Sequence, residues 1–80
     1  MAEYTEADLP LELGDGEYLT LADGTSVRWE SNGEAKDVFL SADFSPTVEL
    51  FPSNDYTFEA GGSTYKLTAR FEAALLVEKI

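Results

Sequence analysis

Sixteen carboxylates and five basic residues carry the chemistry of this 80-residue chain, which has neither histidine nor cysteine. Without imidazole or thiolate, the usual activated pairs for nucleophilic catalysis by Ser or Thr cannot be built. Lys36, Lys66 and Lys79 remain as amine bases, and no motif sets one beside a serine. Paired carboxylates hydrolyse glycosides only in a cleft deep enough to raise one pKa. Sixteen acids in 80 positions make close pairs by chance, so pairing alone signals little. Zinc loses both of its usual ligands. Calcium needs a loop rich in oxygen ligands. Gly14-Asp15-Gly16-Glu17 and Asp23-Gly24-Thr25 are the candidates; neither has EF-hand spacing, and both read better as turns. Gly14-Asp15-Gly16 also lacks the third glycine of a phosphate loop, and acid beside it repels phosphate. The expectation is no enzyme activity, no cofactor and no metal.

The distribution of acid says more than its pairing. Arg28 is the first basic residue, and seven acids precede it: Glu3, Glu6, Asp8, Glu12, Asp15, Glu17 and Asp23. They are most of the formal net charge of -11. Such a field repels nucleic acid and anionic membranes and attracts basic surfaces. Direct nucleic-acid binding needs Lys and Arg at phosphates, and five scattered bases do not supply it. The seven N-terminal acids are therefore the candidate partner-binding residues. Their partner is expected to be a basic protein, including one within a nucleic-acid-binding complex. Without functional meaning, the same acids are a solvated surface and a flexible arm.

Placing those acids requires the elements. The composition, 44% hydrophobic and 12% aromatic, supports one small core. The chain reads as a single domain over residues 1–80, with residues 1–10 as an acidic arm. Thr5-Glu6-Ala7-Asp8 can start one helical turn, with Thr5 as N-cap and Asp8 reaching back, before Pro10 stops it. From Leu11 the pattern is strand, turn, strand. Asp23-Gly24, Asn32-Gly33 and Gly61-Gly62 are two-residue hairpin signals. The first predicts Tyr18 opposite Trp29, Leu19 opposite Arg28 and Thr20 opposite Val27. The second predicts Trp29 opposite Lys36, Arg28 opposite Asp37 and Val27 opposite Val38. The inner face is then Tyr18, Val27, Trp29, Val38 and Leu40, while Leu19, Leu21 and Phe39 need other cover. The third predicts Phe58 opposite Tyr65, Thr57 opposite Lys66 and Tyr56 opposite Leu67. Asp43-Phe44-Ser45-Pro46 breaks the meander. Residues 72–80 fit a short helix by propensity, or a strand continuing from Phe71, and strand is preferred. The expected fold is mainly β, a small antiparallel barrel or two-sheet sandwich of about six strands built from hairpins. A short helix, if one forms, belongs at the N- or C-terminal end.

No run approaches the ~18 apolar residues of a membrane helix, and the N-terminus lacks a signal-peptide pattern. The expectation is a cytoplasmic protein, monomeric or weakly oligomeric. In length and charge the chain resembles the small phage-encoded DNA-mimic inhibitors, including the uracil-DNA glycosylase inhibitors and acidic anti-CRISPR proteins. The stretch Ser31-Asn32-Gly33-Glu34-Ala35-Lys36 is similar to a hairpin of the glycosylase inhibitors. Their acidic recognition strand has no counterpart, so the family is not assigned. The resemblance implies an inhibitor or regulator that mimics nucleic-acid charge and blocks a basic DNA- or RNA-handling protein. The alternative is a non-enzymatic viral or structural assembly module joined through its β-hairpins.

Overall fold

The computed structural model describes residues 3–41, 46–70 and 73–80. Nine strands are present among them. They are β1 (Glu3–Thr5), β2 (Leu11–Gly14), β3 (Tyr18–Thr20), β4 (Ser26–Asn32) and β5 (Ala35–Leu40), then β6 (Val48–Leu50), β7 (Asp55–Ala60), β8 (Ser63–Ala69) and β9 (Ala74–Lys79). One sheet has the order β1-β3-β4-β5-β6 and the other β2-β9-β8-β7. All pairings are antiparallel except β1 with β3. The two sheets form a sandwich rather than a closed barrel, so of the two architectures expected the sandwich is the one found. No helix among the described residues is long and apolar enough to cross a membrane.

Alternation builds the core. Val27, Trp29 and Val38 from one sheet meet Leu13, Tyr65, Leu67, Leu75 and Val77 from the other. Each such side chain contributes roughly 1.5–3 kcal/mol when fully buried. The indole N–H of Trp29 crosses between the layers and donates to the Leu13 carbonyl at 2.7 Å. Leu11–Leu13 and Tyr18–Thr20 do not pair as a hairpin. The turn between β2 and β3 instead carries the chain from one sheet to the other.

The first two hairpin registers differ from expectation, and turn chemistry explains both. A two-residue type I′ loop needs positive φ at Asp23 and Gly24, yet only Gly24 has it, at 93°. Leu21 N–H donates to Thr25 O at 2.8 Å, closing a loop of three residues, Ala22 to Gly24. The extra residue slides the register by one, setting Leu19 opposite Val27. A slip of one exchanges the faces of a strand. Leu19 and Leu21 therefore enter the core, and Tyr18 is left 39% exposed. In the second hairpin the loop is Gly33-Glu34, with φ of 63° at Gly33 and Asn32 opposite Ala35. That two-residue slip keeps the faces but changes partners. Trp29 lies opposite Val38, and Arg28 opposite Phe39 rather than Asp37. Phe39 stays on the outer face, where the Arg28 guanidinium covers it with Cζ 3.9 Å from the ring centre. The third hairpin has the register expected, with Phe58 opposite Tyr65, Thr57 opposite Lys66 and Tyr56 opposite Leu67.

The ends match expectation in part. Residues read as an acidic arm form β1 and a 3-10 turn (Glu6–Asp8). The reach-back is present: the Thr5 N–H donates to Asp8 Oδ2 at 2.9 Å. The C-terminal stretch is a strand, as preferred, but a separate one that turns back on β8 instead of prolonging it. The break expected at residues 43–45 and the junction at 71–72 lie outside the described residues.

Candidate functional site

Most of the seven acids picked out by sequence act as internal acceptors. Glu6 holds the densest cluster. Its carboxylate accepts from the Tyr65 hydroxyl, from the Ala22 N–H at 3.0 Å and from Lys79 Nζ at 3.0 Å. Those three donors favour the ionised form, the Tyr65 hydroxyl most, and hold Glu6 at about 2. In return Tyr65 is raised by its hydrogen bond to Glu6, and so is Lys79. Glu17 accepts from the Gly14 N–H at 2.6 Å and from the Tyr4 hydroxyl at 3.4 Å. Its charge is the main cause that raises Tyr4. Asp23 accepts from the Thr25 N–H at 2.9 Å, which lowers it against partial desolvation and the like charge of Glu6. Asp15 accepts from the Ser31 hydroxyl at 3.1 Å. Glu3, on β1, and Glu12, on β2, are exposed on edge strands of different sheets. Glu6 and Asp23 come together; the seven as a set do not.

A more regular arrangement lies on the outer face of the five-stranded sheet. Glu30 on β4 is directly opposite Asp37 on β5, and Asp37 is directly opposite Glu49 on β6. Three carboxylates thus line up across three strands, over roughly 10 Å at the usual strand spacing. Like charges directly opposite destabilise a sheet. Two neighbours moderate this row. Arg28 Nη1 pairs with Glu30 Oε2 at 2.8 Å. The Asn32 amide donates to Asp37 Oδ2 at 3.3 Å and Glu49 Oε2 at 3.2 Å. None of these acids was among the sequence candidates. The signal available was the symmetric placement of Glu30 and Asp37 about Gly33-Glu34, which the Asn32-Gly33 register hides. Glu49 joins only through the β5–β6 pairing. Among the described residues no three acids converge in the way a metal ion needs.

The other site of chemical interest is Lys36, 5% exposed and the one buried charged residue among those described. Its Nζ donates to the Arg70 carbonyl at 2.8 Å and lies 5.0 Å from the Trp29 ring centre. Burial alone lowers its pKa. A cleft of about 410 Å³ beside it is lined by Trp29, Ser31, Pro52 and Ala73 among others. The amine spans from β5 to the chain after β8, so its geometry is that of a tie between the sheets.

Compared with known protein families, curated proteins and solved structures, the chain matches none.

Proposed function

We propose that this protein is a small acidic regulator that docks on a basic, nucleic-acid-handling protein and blocks it by presenting a duplex-like field of carboxylates. The observation that supports this best is the row Glu30–Asp37–Glu49, kept on an exposed sheet face despite its mutual repulsion. A rigid sheet holds these charges at fixed spacing, which a solubilising surface does not require. The whole-molecule density is also suitable. A long axis of 31 Å and 11 net negative charges give about 2.8 Å per charge, of the order of the ~1.7 Å of duplex DNA. A cytoplasmic setting, where such partners work, belongs to the same reading. The row is added here to the seven sequence candidates, several of which serve the fold first.

The test is competition. A partner captured at low salt should be released by duplex DNA and by moderate salt. The triple variant Glu30→Gln, Asp37→Asn, Glu49→Gln should lose capture while remaining folded. A partner held equally well by that variant, or indifferent to excess DNA, ends this reading.

A further inference from the structure

Four strands form the sheet edges: β1, β2, β6 and β7. β7 is the longest at six residues, against three, four and three for the others. Edge strands are commonly blunted by proline, charged side chains or a bulge. β7 has no proline or bulge and pairs with β8 without interruption from Asp55 to Ala60; its protection is the carboxylates of Asp55 and Glu59, which repel an acidic strand and admit a basic one.

The turn chemistry tells which backbone groups of β7 point outward. Gly61 and Gly62 both have positive φ, 58° and 81°, as a two-residue loop requires. Ala60 and Ser63 flank that loop and exchange hydrogen bonds, as do every second pair after them. The backbone groups of Tyr56, Phe58 and Ala60 therefore face β8. Those of Asp55, Thr57 and Glu59 face the open edge, where the sheet has no further strand among the described residues. The same three residues carry the exposed side chains of the strand. Tyr56 and Phe58 are half-buried on the other face, packed against the core, with ring centres 6.5 Å apart. Phe51, on the connection into β7, is 48% exposed.

A second copy of this chain fits poorly. Antiparallel self-pairing overlaps by five residues in two registers: centred on Thr57 it sets Asp55 opposite Glu59 twice, and centred on Phe58 it sets Glu59 diagonally beside its own copy, so both bring like charges together. The pattern instead complements a strand that alternates basic residues, beside Glu59 and beside Asp55 (which it would share with Lys66, 3.7 Å away), with apolar ones beside Tyr56 and Phe58. We propose that β7 is a docking edge for an extended basic segment of a protein partner, which adds to the four-stranded sheet as a fifth strand. This rests on the reading that the partner is basic, and supplies the way in which it is gripped.

The probe is a short synthetic peptide alternating Lys and Val, titrated calorimetrically at low and high salt. Thr57→Pro removes an outward N–H while leaving the β7–β8 ladder intact, because proline is tolerated where the N–H faces solvent. It should weaken binding by roughly tenfold or more, the equivalent of about 1.4 kcal/mol, with thermal unfolding unchanged by Trp29 fluorescence. N-methylation of alternate peptide amides should do the same without touching the protein. Asp55→Lys with Glu59→Lys should abolish binding, and exchange of the Thr57 and Glu59 amides should slow in the complex. No binding of the peptide to wild-type protein at low salt overturns the proposal. So does equal binding by folded Thr57→Pro and by the N-methylated peptide, which reduces the attraction to general charge. A concentration-dependent dimer lost in Thr57→Pro also overturns it, since the occupant is then a second copy. Against a natural partner the two readings separate. Displacement by DNA with capture retained by Thr57→Pro leaves the charge reading standing without the edge. Loss of capture by Thr57→Pro with no effect of DNA leaves the edge without the mimicry.

Discussion

Glu6 shows how a residue chosen for its charge can be committed to the fold. It joins the 3-10 turn to Tyr65 on β8 and Lys79 on β9, and reaches the Ala22 N–H beyond β3. Its ionisation is therefore linked to folding. A carboxyl lowered from 4.5 to about 2 gives stability that is complete above the unfolded value and lost as pH falls through the folded one. Melting temperature should drop between about pH 4.5 and 2, and Glu6→Gln should flatten the drop in that window. An unchanged acid limb in Glu6→Gln would mean the cluster is not coupled to unfolding. Lys36 also gains stability with rising pH, although here folding disfavours the charged form instead of favouring it. Burial lowers its pKa, so the unfolded chain holds the proton more tightly and stability gains as pH rises through the folded value. Lys36→Met should remove that alkaline gain, read as the difference between the two stability curves. Trp29 is the single tryptophan and reports unfolding directly. Trp29→Phe leaves the buried Leu13 carbonyl without its donor and should cost about 1–3 kcal/mol in denaturant unfolding, followed by circular dichroism because the variant has lost the fluorophore.

Among elements, the hairpins separate what local chemistry decides from what it leaves open. Gly61-Gly62 allows one loop, because both residues accept positive φ, and the predicted pairs follow from it. Asp23-Gly24 and Asn32-Gly33 each contain one glycine, which serves equally in a longer or a shifted loop. Packing then chooses. The slip at the first turn buries Leu19 and Leu21 and exposes Tyr18, whose hydroxyl prefers a wet face. The third turn also carries a tertiary contact. A β-carbon at Gly61 would lie 2.8 Å from the Asp23 Cβ, whereas one at Gly62 meets nothing within 4 Å. Both alanine variants are expected to incur the left-handed penalty of roughly 1–2 kcal/mol. Gly61→Ala should be measurably worse than Gly62→Ala in chemical denaturation. Equal losses would mean that the tips of the β3–β4 and β7–β8 hairpins do not press together.

For the whole molecule, a net charge of -11 on a body of 11.2 Å radius of gyration means strong self-repulsion. Raising ionic strength from ~0.01 to ~0.1 M shortens the Debye length from about 30 to about 10 Å. Thermal stability should rise over that range, and a gain of about 1 kcal/mol would appear as roughly 4–8 °C. A melting temperature that falls with salt would show that ion pairs such as Lys79–Glu6 outweigh the repulsion. Much of this character belongs to the sequence alone: the acidity, the missing imidazole and thiol, the β periodicity, the N-terminal turn and the register of the glycine pair at 61–62. These follow from composition or from a few adjacent residues. Tertiary structure alone decided that β2 and β3 join different sheets, that β1 lies parallel to β3, and that Glu6 meets Lys79 across 73 positions. It also decided that Glu30, Asp37 and Glu49 form one row. Strands that read alike locally compete for the same partners, and only burial of the shared core around Trp29 selects among the pairings.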